Sequence, residues 1–145
     1  MKILMVCLGN ICRSPLAHGV FDHLVKASGL DWEVDSAGTG DWHVGQQPDR
    51  RSIATARKHG VDIGMQRARQ FSPTDFNDYD HILVMDRANL SDVLALANRP
   101  EERAKVKLFL GDDIVPDPYY DDTLFEPVYQ MIAKRSAILL EELKA

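Results

Sequence analysis

Apolar residues along this chain fall into two patterns, short continuous runs and stretches in which they recur every three or four positions. The run Ile3-Leu4-Met5-Val6 predicts a buried strand, and Leu16, Val20, Leu24 and Val25 follow at helical spacing until Ser28-Gly29 supplies a stop. Trp32 to Asp35 predicts a short second strand, ending at Ser36-Ala37-Gly38-Thr39-Gly40. A loop carrying Trp42 comes next, and Asp49 to His59 predicts a second helix closed by Gly60. Ser72-Pro73-Thr74-Asp75 has the form of a helix start with serine as cap. His81 to Met85 predicts a central strand, with Asp86 at its end and Leu90, Val93, Leu94 and Ala97 on one face of the next helix. Lys105 to Leu110 predicts a fourth strand nearer an edge, Gly111 to Tyr120 a loop, and Phe125, Val128, Ile132, Leu139 and Leu143 a long C-terminal helix.

Strands alternating with helices define an α/β fold: a four-stranded parallel sheet, Rossmann-like, with helices on both faces in three layers. The 145 residues are 45% hydrophobic and contain no linker, repeat or low-complexity block, so residues 1–145 are expected to form a single domain. Ligands of such folds bind beyond the C-terminal ends of the strands. The loop after Val6, Ser36, Asp86 and the loop holding Asp117 are all expected on that rim.

Charge and cysteine content narrow the functional classes. A net charge of -5 argues against a general nucleic-acid binder, which needs a basic face to replace counterions. No run reaches transmembrane length, so no membrane partner is expected. The N-terminus enters the first strand without the pattern of a signal peptide. Two cysteines with four residues between them suit a reducing compartment, and the cytoplasm is the expected location.

The candidate chemistry is concentrated in Val6-Cys7-Leu8-Gly9-Asn10-Ile11-Cys12-Arg13-Ser14-Pro15. A loop wrapping into a helix N-terminus offers successive backbone N–H groups to a tetrahedral oxyanion. Gly9 is expected to ease the turn, and Asn10 tolerates left-handed backbone angles. Arg13 adds a planar fork matched to two phosphate oxygens, and the same donors stabilise a thiolate at Cys7. Ser14 can donate a further hydrogen bond to the sulfur. Cys7 alone would suit a small buried hydrophobe. The whole ten-residue string makes it a nucleophile in a phosphate cradle.

This loop resembles that of the low-molecular-weight protein tyrosine phosphatases. The resemblance extends through Val34-Asp35-Ser36-Ala37, Ala68-Arg69-Gln70, Met85-Asp86 with Asn89-Leu90, and Asp117-Pro118-Tyr119-Tyr120. It implies a phosphotyrosine phosphatase I-like fold and a hydrolase without metal or other cofactor. It also implies phosphotyrosine-containing proteins as substrates and a phosphocysteine intermediate, with Cys7 as nucleophile, Arg13 binding phosphate and Asp117 as general acid. From the residues alone, Asp112, Asp113, Asp117, Asp121 and Asp122 all compete for the acid, and the DPYY match singles out Asp117. Tyr119 and Tyr120 are expected to shield its carboxyl from water, which favours the protonated form.

For Cys12 the resemblance implies a redox guard that captures oxidised Cys7 as a disulfide; a structural filler is the other reading. Trp42, Tyr119 and Tyr120 suit either aromatic walls of a deep slot or core packing, with Leu8 and Ile11 adding apolar contacts. Ser36 and Asp86 suit bracing of the loop or plain capping. Relatives carry a histidine before the Ala-Arg-Gln segment, bonded to the loop asparagine, where this chain has Gln66; a glutamine keeps such a bond without titrating. None of the five histidines has a position that ties it to catalysis.

Three rival functions follow from the same residues. Arsenate reduction on this scaffold needs further cysteines for its relay, and none follows Cys12. A catalytically silent phosphotyrosine-binding module has no need of Cys7, Arg13 and Asp117 together. A zinc site lacks a ligand cluster around the two cysteines. Monomer and weak dimer are equally compatible with the sequence.

Overall fold

The computed structural model describes residues 1–145. In chain order the elements are β1 (Lys2–Cys7), α1 (Arg13–Ala27), β2 (Glu33–Gly38), α2 (Arg50–Lys58), α3 (Asp75–Asp78), β3 (His81–Val84), α4 (Arg87–Leu94), α5 (Pro100–Arg103), β4 (Val106–Leu108) and α6 (Phe125–Lys144). A short 3-10 turn, Asp122–Leu124, leads into α6. No helix is long and apolar enough to cross a membrane.

The four strands form one parallel sheet in the order β2-β1-β3-β4. The chain leaves β1 towards β2 on one side and returns to β3 on the other, so the topological switch point lies between β1 and β3. Successive side chains of a strand point to opposite faces, and β1 divides accordingly. Ile3, Met5 and Cys7 join the core under α1 and α6, together with Leu16, Val20, Phe21, Val128 and Ile132. Leu4 and Val6 join a second core with Phe71, Phe76, Ile82, Val84 and Val93 under α3 and α4. Helices therefore cover both faces, as the alternating pattern predicts.

Several details differ from the sequence reading. The strand β2 continues through Ser36 and Ala37 to Gly38, pairing Met5 with Ser36 and Cys7 with Gly38, because the small residues fit beside the loop that leaves β1. Ser72 does not cap α3: its hydroxyl bonds Thr74 Oγ1, and it is Asp75 that accepts from the Ser72 amide. The helix there is one turn long, and α5, a second one-turn helix opened by Pro100, has no counterpart in the apolar pattern.

Candidate active site

The loop between β1 and α1 is shaped from outside. Its carbonyls are tied to neighbouring segments: Cys7 O accepts from Thr39 N (2.9 Å), Leu8 O from Gly40 N (2.9 Å) and Ile11 O from Asp49 N (2.7 Å). With the oxygens held outward, the amides of Leu8, Gly9, Ile11 and Cys12 have no acceptor within the chain. The Asn10 amide donates to Cys7 Sγ at 3.3 Å. Backbone donors without acceptors therefore line the same cleft as the sulfur, the material of an anion nest.

Asn10 is the one non-glycine residue with positive φ, 56°, as its tolerance of left-handed angles predicts. Gly9 does not take such an angle. Its lack of a side chain serves clearance instead, since a Cβ there would meet the His43 ring at 3.1 Å. Gly38 is the tighter constraint: a Cβ would stand 2.8 Å from Leu8 O.

Behind the loop, Asn10 Oδ1 accepts from the Arg69 amide (3.0 Å) while its Nδ2 donates to Ser14 Oγ (2.8 Å) and to Ser36 Oγ (3.0 Å). Ser14 Oγ stands 3.0 Å from Cys7 Sγ. Gln66 does not support Asn10. Its Nε2 donates to Pro15 O (3.1 Å), because the strand extension puts Ser36 in the place next to Asn10. His18 in turn stands behind Ser36, with Nδ1 3.2 Å from the hydroxyl, so one of the five histidines does reach the site's support. Two residues after Leu16, it lies off the apolar stripe that predicts α1, so the sequence carries no signal for it.

Arg13 is buried and oriented by two acceptors on its Nη1, Asp86 Oδ2 at 2.7 Å and Val115 O at 2.9 Å. Its pKa is raised despite the opposing effect of burial, by Cys7, Asp86 and Asp117. Asp86 also caps α4, its Oδ1 accepting from Asn89 N at 2.8 Å, so one carboxylate both starts a helix and aims the guanidinium. Asp117 Oδ2 lies 3.9 Å from Arg13 Nη2. The expected shielding of Asp117 is absent: its side chain is 38% exposed, because Tyr119 and Tyr120 pack on each other, edge to face at 5.0 Å, rather than over the carboxyl.

A cavity of about 300 Å³ joins Cys7, Leu8, Gly9, Ile11, Cys12 and Arg13 to Asp117, Trp42, His43, Tyr119 and Tyr120. Trp42 and Tyr120 are 68% and 89% exposed, which excludes core packing and leaves them as its outer walls. Arg51, unremarked in the sequence, braces this side: its guanidinium lies over the rings of Phe125 (4.6 Å) and Tyr119 (5.4 Å) and binds Asp49 and Asp122. The Cys12 thiol is buried and pushed up to about 12, by burial first and then by Asp49, Cys7 and Asp117.

A thiol beside amides without acceptors, with a guanidinium and a carboxylate in the same cleft, is suited to binding a tetrahedral oxyanion and taking its phosphorus onto sulfur. The fold and this site define a cysteine-dependent phosphatase built on a four-stranded parallel sheet. Residues 2–145 match the family model described as low molecular weight phosphotyrosine protein phosphatase, and the chain belongs to that family. The pig protein of that name is 40% identical, across 99% of this chain and 96% of its own length. Among solved structures, YfkJ from Bacillus subtilis superposes with a TM-score of 0.92 at 36% identity, covering 99% of this chain and 94% of its own. A Drosophila arginine phosphatase gives 0.92 at 35% identity, covering 100% and 99%.

Proposed function

We propose that this chain hydrolyses phosphotyrosine in proteins, and small aryl phosphates, through a phosphocysteine at Cys7. The observation that carries this reading is one aromatic-walled cavity that joins Cys7, the loop residues whose amides have no acceptor, Arg13 and Asp117. Phosphate bound to the amides of Leu8, Gly9, Ile11 and Cys12 and to the Arg13 fork sets phosphorus against the sulfur. Ser14 donates to the thiolate. As the S–P bond forms and the P–O bond breaks, Asp117 protonates the leaving phenol oxygen. Its carboxylate then takes a proton from the water that attacks the phosphocysteine, returning the thiolate and releasing phosphate.

Leu8, Ile11, Trp42, Tyr119 and Tyr120 supply the apolar walls for a phenyl ring. Such a slot favours a long aryl side chain over serine, whose phosphate cannot reach the floor. The buried, protonated state of Cys12 makes it a slow captor of oxidised Cys7, and the two thiols fit work in the reducing cytoplasm. The test is a panel of phosphotyrosine, phosphoserine and phosphoarginine peptides, assayed beside Cys7→Ser. Phosphate release from phosphotyrosine alone, with Cys7→Ser binding but not releasing, is the expected result. Faster release from phosphoarginine overturns the aryl assignment, and release by Cys7→Ser overturns the nucleophile.

A further inference from the structure

The hydrogen bonds behind the loop determine where each proton lies. Arg69 N–H is a backbone donor, so the Asn10 atom facing it at 3.0 Å must be the oxygen. Asn10 Nδ2 then has two hydrogens for its two neighbours, Ser14 Oγ and Ser36 Oγ. Ser14, accepting from Asn10, is free to donate its own hydrogen to Cys7 Sγ, 3.0 Å away. Ser36, also accepting from Asn10, has one remaining partner for its own hydrogen, His18 Nδ1 at 3.2 Å. His18 Nδ1 must accept, which makes the ring neutral with its proton on Nε2. Gln66, tied through its Nε2 to Pro15 O, lines the same cleft as His18 and holds a buried Oε1 with no hydrogen-bond partner.

We propose that His18 is a positioning residue for the phosphatase reaction: as the Nε2–H tautomer it accepts the Ser36 hydroxyl and so locks the Ser36–Asn10–Ser14 relay that aims a donor at Cys7. The proposal rests on Cys7 being the nucleophile. Protonation of Nδ1 turns an acceptor into a donor. Ser36 Oγ, in a residue only 4% exposed, then faces two donors and its own hydrogen loses its acceptor, at the cost of an unsatisfied buried hydroxyl.

The surroundings favour the neutral ring. Burial pushes the His18 imidazole below its ordinary value, against the pull of Asp35, Asp22 and the Gln66 side chain and with a small further push in the same direction from Lys26. The other ionisable groups lining the two clefts beside it are Asp62 and His23 on one side and Glu33 and Tyr79 on the other. Of these, Asp35 is engaged by Arg69 and Tyr79, and Asp22 by Lys26, which limits how strongly the two carboxylates draw a proton to the ring.

Two substitutions separate positioning from packing. His18→Asn places an amide oxygen where Nδ1 stood and cannot titrate, whereas His18→Leu fills the space without an acceptor. Cys7 alkylation by iodoacetate at pH 7, localised by tandem mass spectrometry, reads the sulfur without requiring turnover. For His18→Leu, the alkylation rate and the kcat for p-nitrophenyl phosphate are expected to fall about 3- to 10-fold, as for loss of one hydrogen bond, with KM little changed. His18→Asn is expected to restore both to within about threefold of the parent, and to flatten whatever acid-side fall in alkylation rate the parent shows. Nitrogen-15 NMR of the parent should show His18 protonated on Nε2 alone at pH 7.

Equal losses in the Leu and Asn variants, or no loss in Leu, overturn the proposal. If Leu does not fold, a ring protonated on Nδ1 in the parent overturns it independently. Failure of the parent to hydrolyse any aryl phosphate would overturn the proposed function, while the alkylation and NMR readouts would still decide the role of His18.

Discussion

Replacing Asn10 by alanine removes three hydrogen bonds at once, to Ser14, Ser36 and the Arg69 amide, and leaves a Cβ-bearing residue at φ 56° without a side chain that suits it. Each bond contributes about 0.5–1.5 kcal/mol net, so the three together contribute about 1.5–4.5 kcal/mol. The left-handed backbone adds roughly 1 kcal/mol for alanine. We therefore expect Asn10→Ala to lower unfolding free energy by about 3–5 kcal/mol, a large share of the 5–15 kcal/mol of a typical domain. Asn10→Gly loses the same bonds but not the strain, and after the greater freedom of its unfolded chain it should recover up to about 0.5 kcal/mol relative to Ala. Urea unfolding of the three proteins, followed by circular dichroism, measures both differences. A loss under 1 kcal/mol for Asn10→Ala would show that the loop is held by its pinned carbonyls alone. A glycine variant less stable than the alanine variant would refute the backbone argument.

Asp117→Ala should cut kcat on alkyl phosphates by about 10²- to 10⁴-fold while leaving vanadate affinity within a few fold; unchanged turnover removes Asp117 from the mechanism. Gly38→Ala forces a Cβ against Leu8 O, so a loss of about 1–3 kcal/mol is expected with a larger fall in activity than in stability, read by denaturant midpoint beside kcat. Burial lowers the pKa of both His18 and His81 in the folded state, so the unfolded chain binds protons first as pH falls below about 6.5. Stability from these two groups is then complete above that pH and lost progressively towards the depressed values. A urea midpoint at pH 5.5 equal to or above that at pH 7.5 would contradict this.

The sheet and its principal helices were legible because burial imposes a period on sequence: β1 and β3 are continuous apolar runs, and α1, α4 and α6 carry apolar stripes. One-turn elements such as α3 and α5 bury too few residues to leave a period. The proposed catalytic loop was legible because its chemistry is local, with thiol, cradle and arginine inside ten residues. Its supports were not, because they arrive from distant segments and act partly through the backbone. Neither the Arg69 amide nor the Val115 carbonyl has a residue-type signature. Nothing in the sequence distinguishes Arg51 from the other charges of α2, because its role depends on Tyr119 and Phe125 lying within reach. The error at Gln66 came from assigning a contact by sequence correspondence, when a three-residue extension of β2 puts Ser36 next to Asn10 and a histidine in the second turn of α1 stands behind it.

The four amides without acceptors tie the enzyme's endurance to its chemistry. These donors have no acceptor within the chain and line the cleft, so an oxyanion that enters binds to groups the fold itself does not use. Since only the folded form can offer those donors together, the anion shifts the folding equilibrium by mass action. Orthophosphate, the product of phosphate ester hydrolysis, would therefore be both a competitor for the site and a folding ligand, so the same rise in its concentration that slows the enzyme also protects it from unfolding.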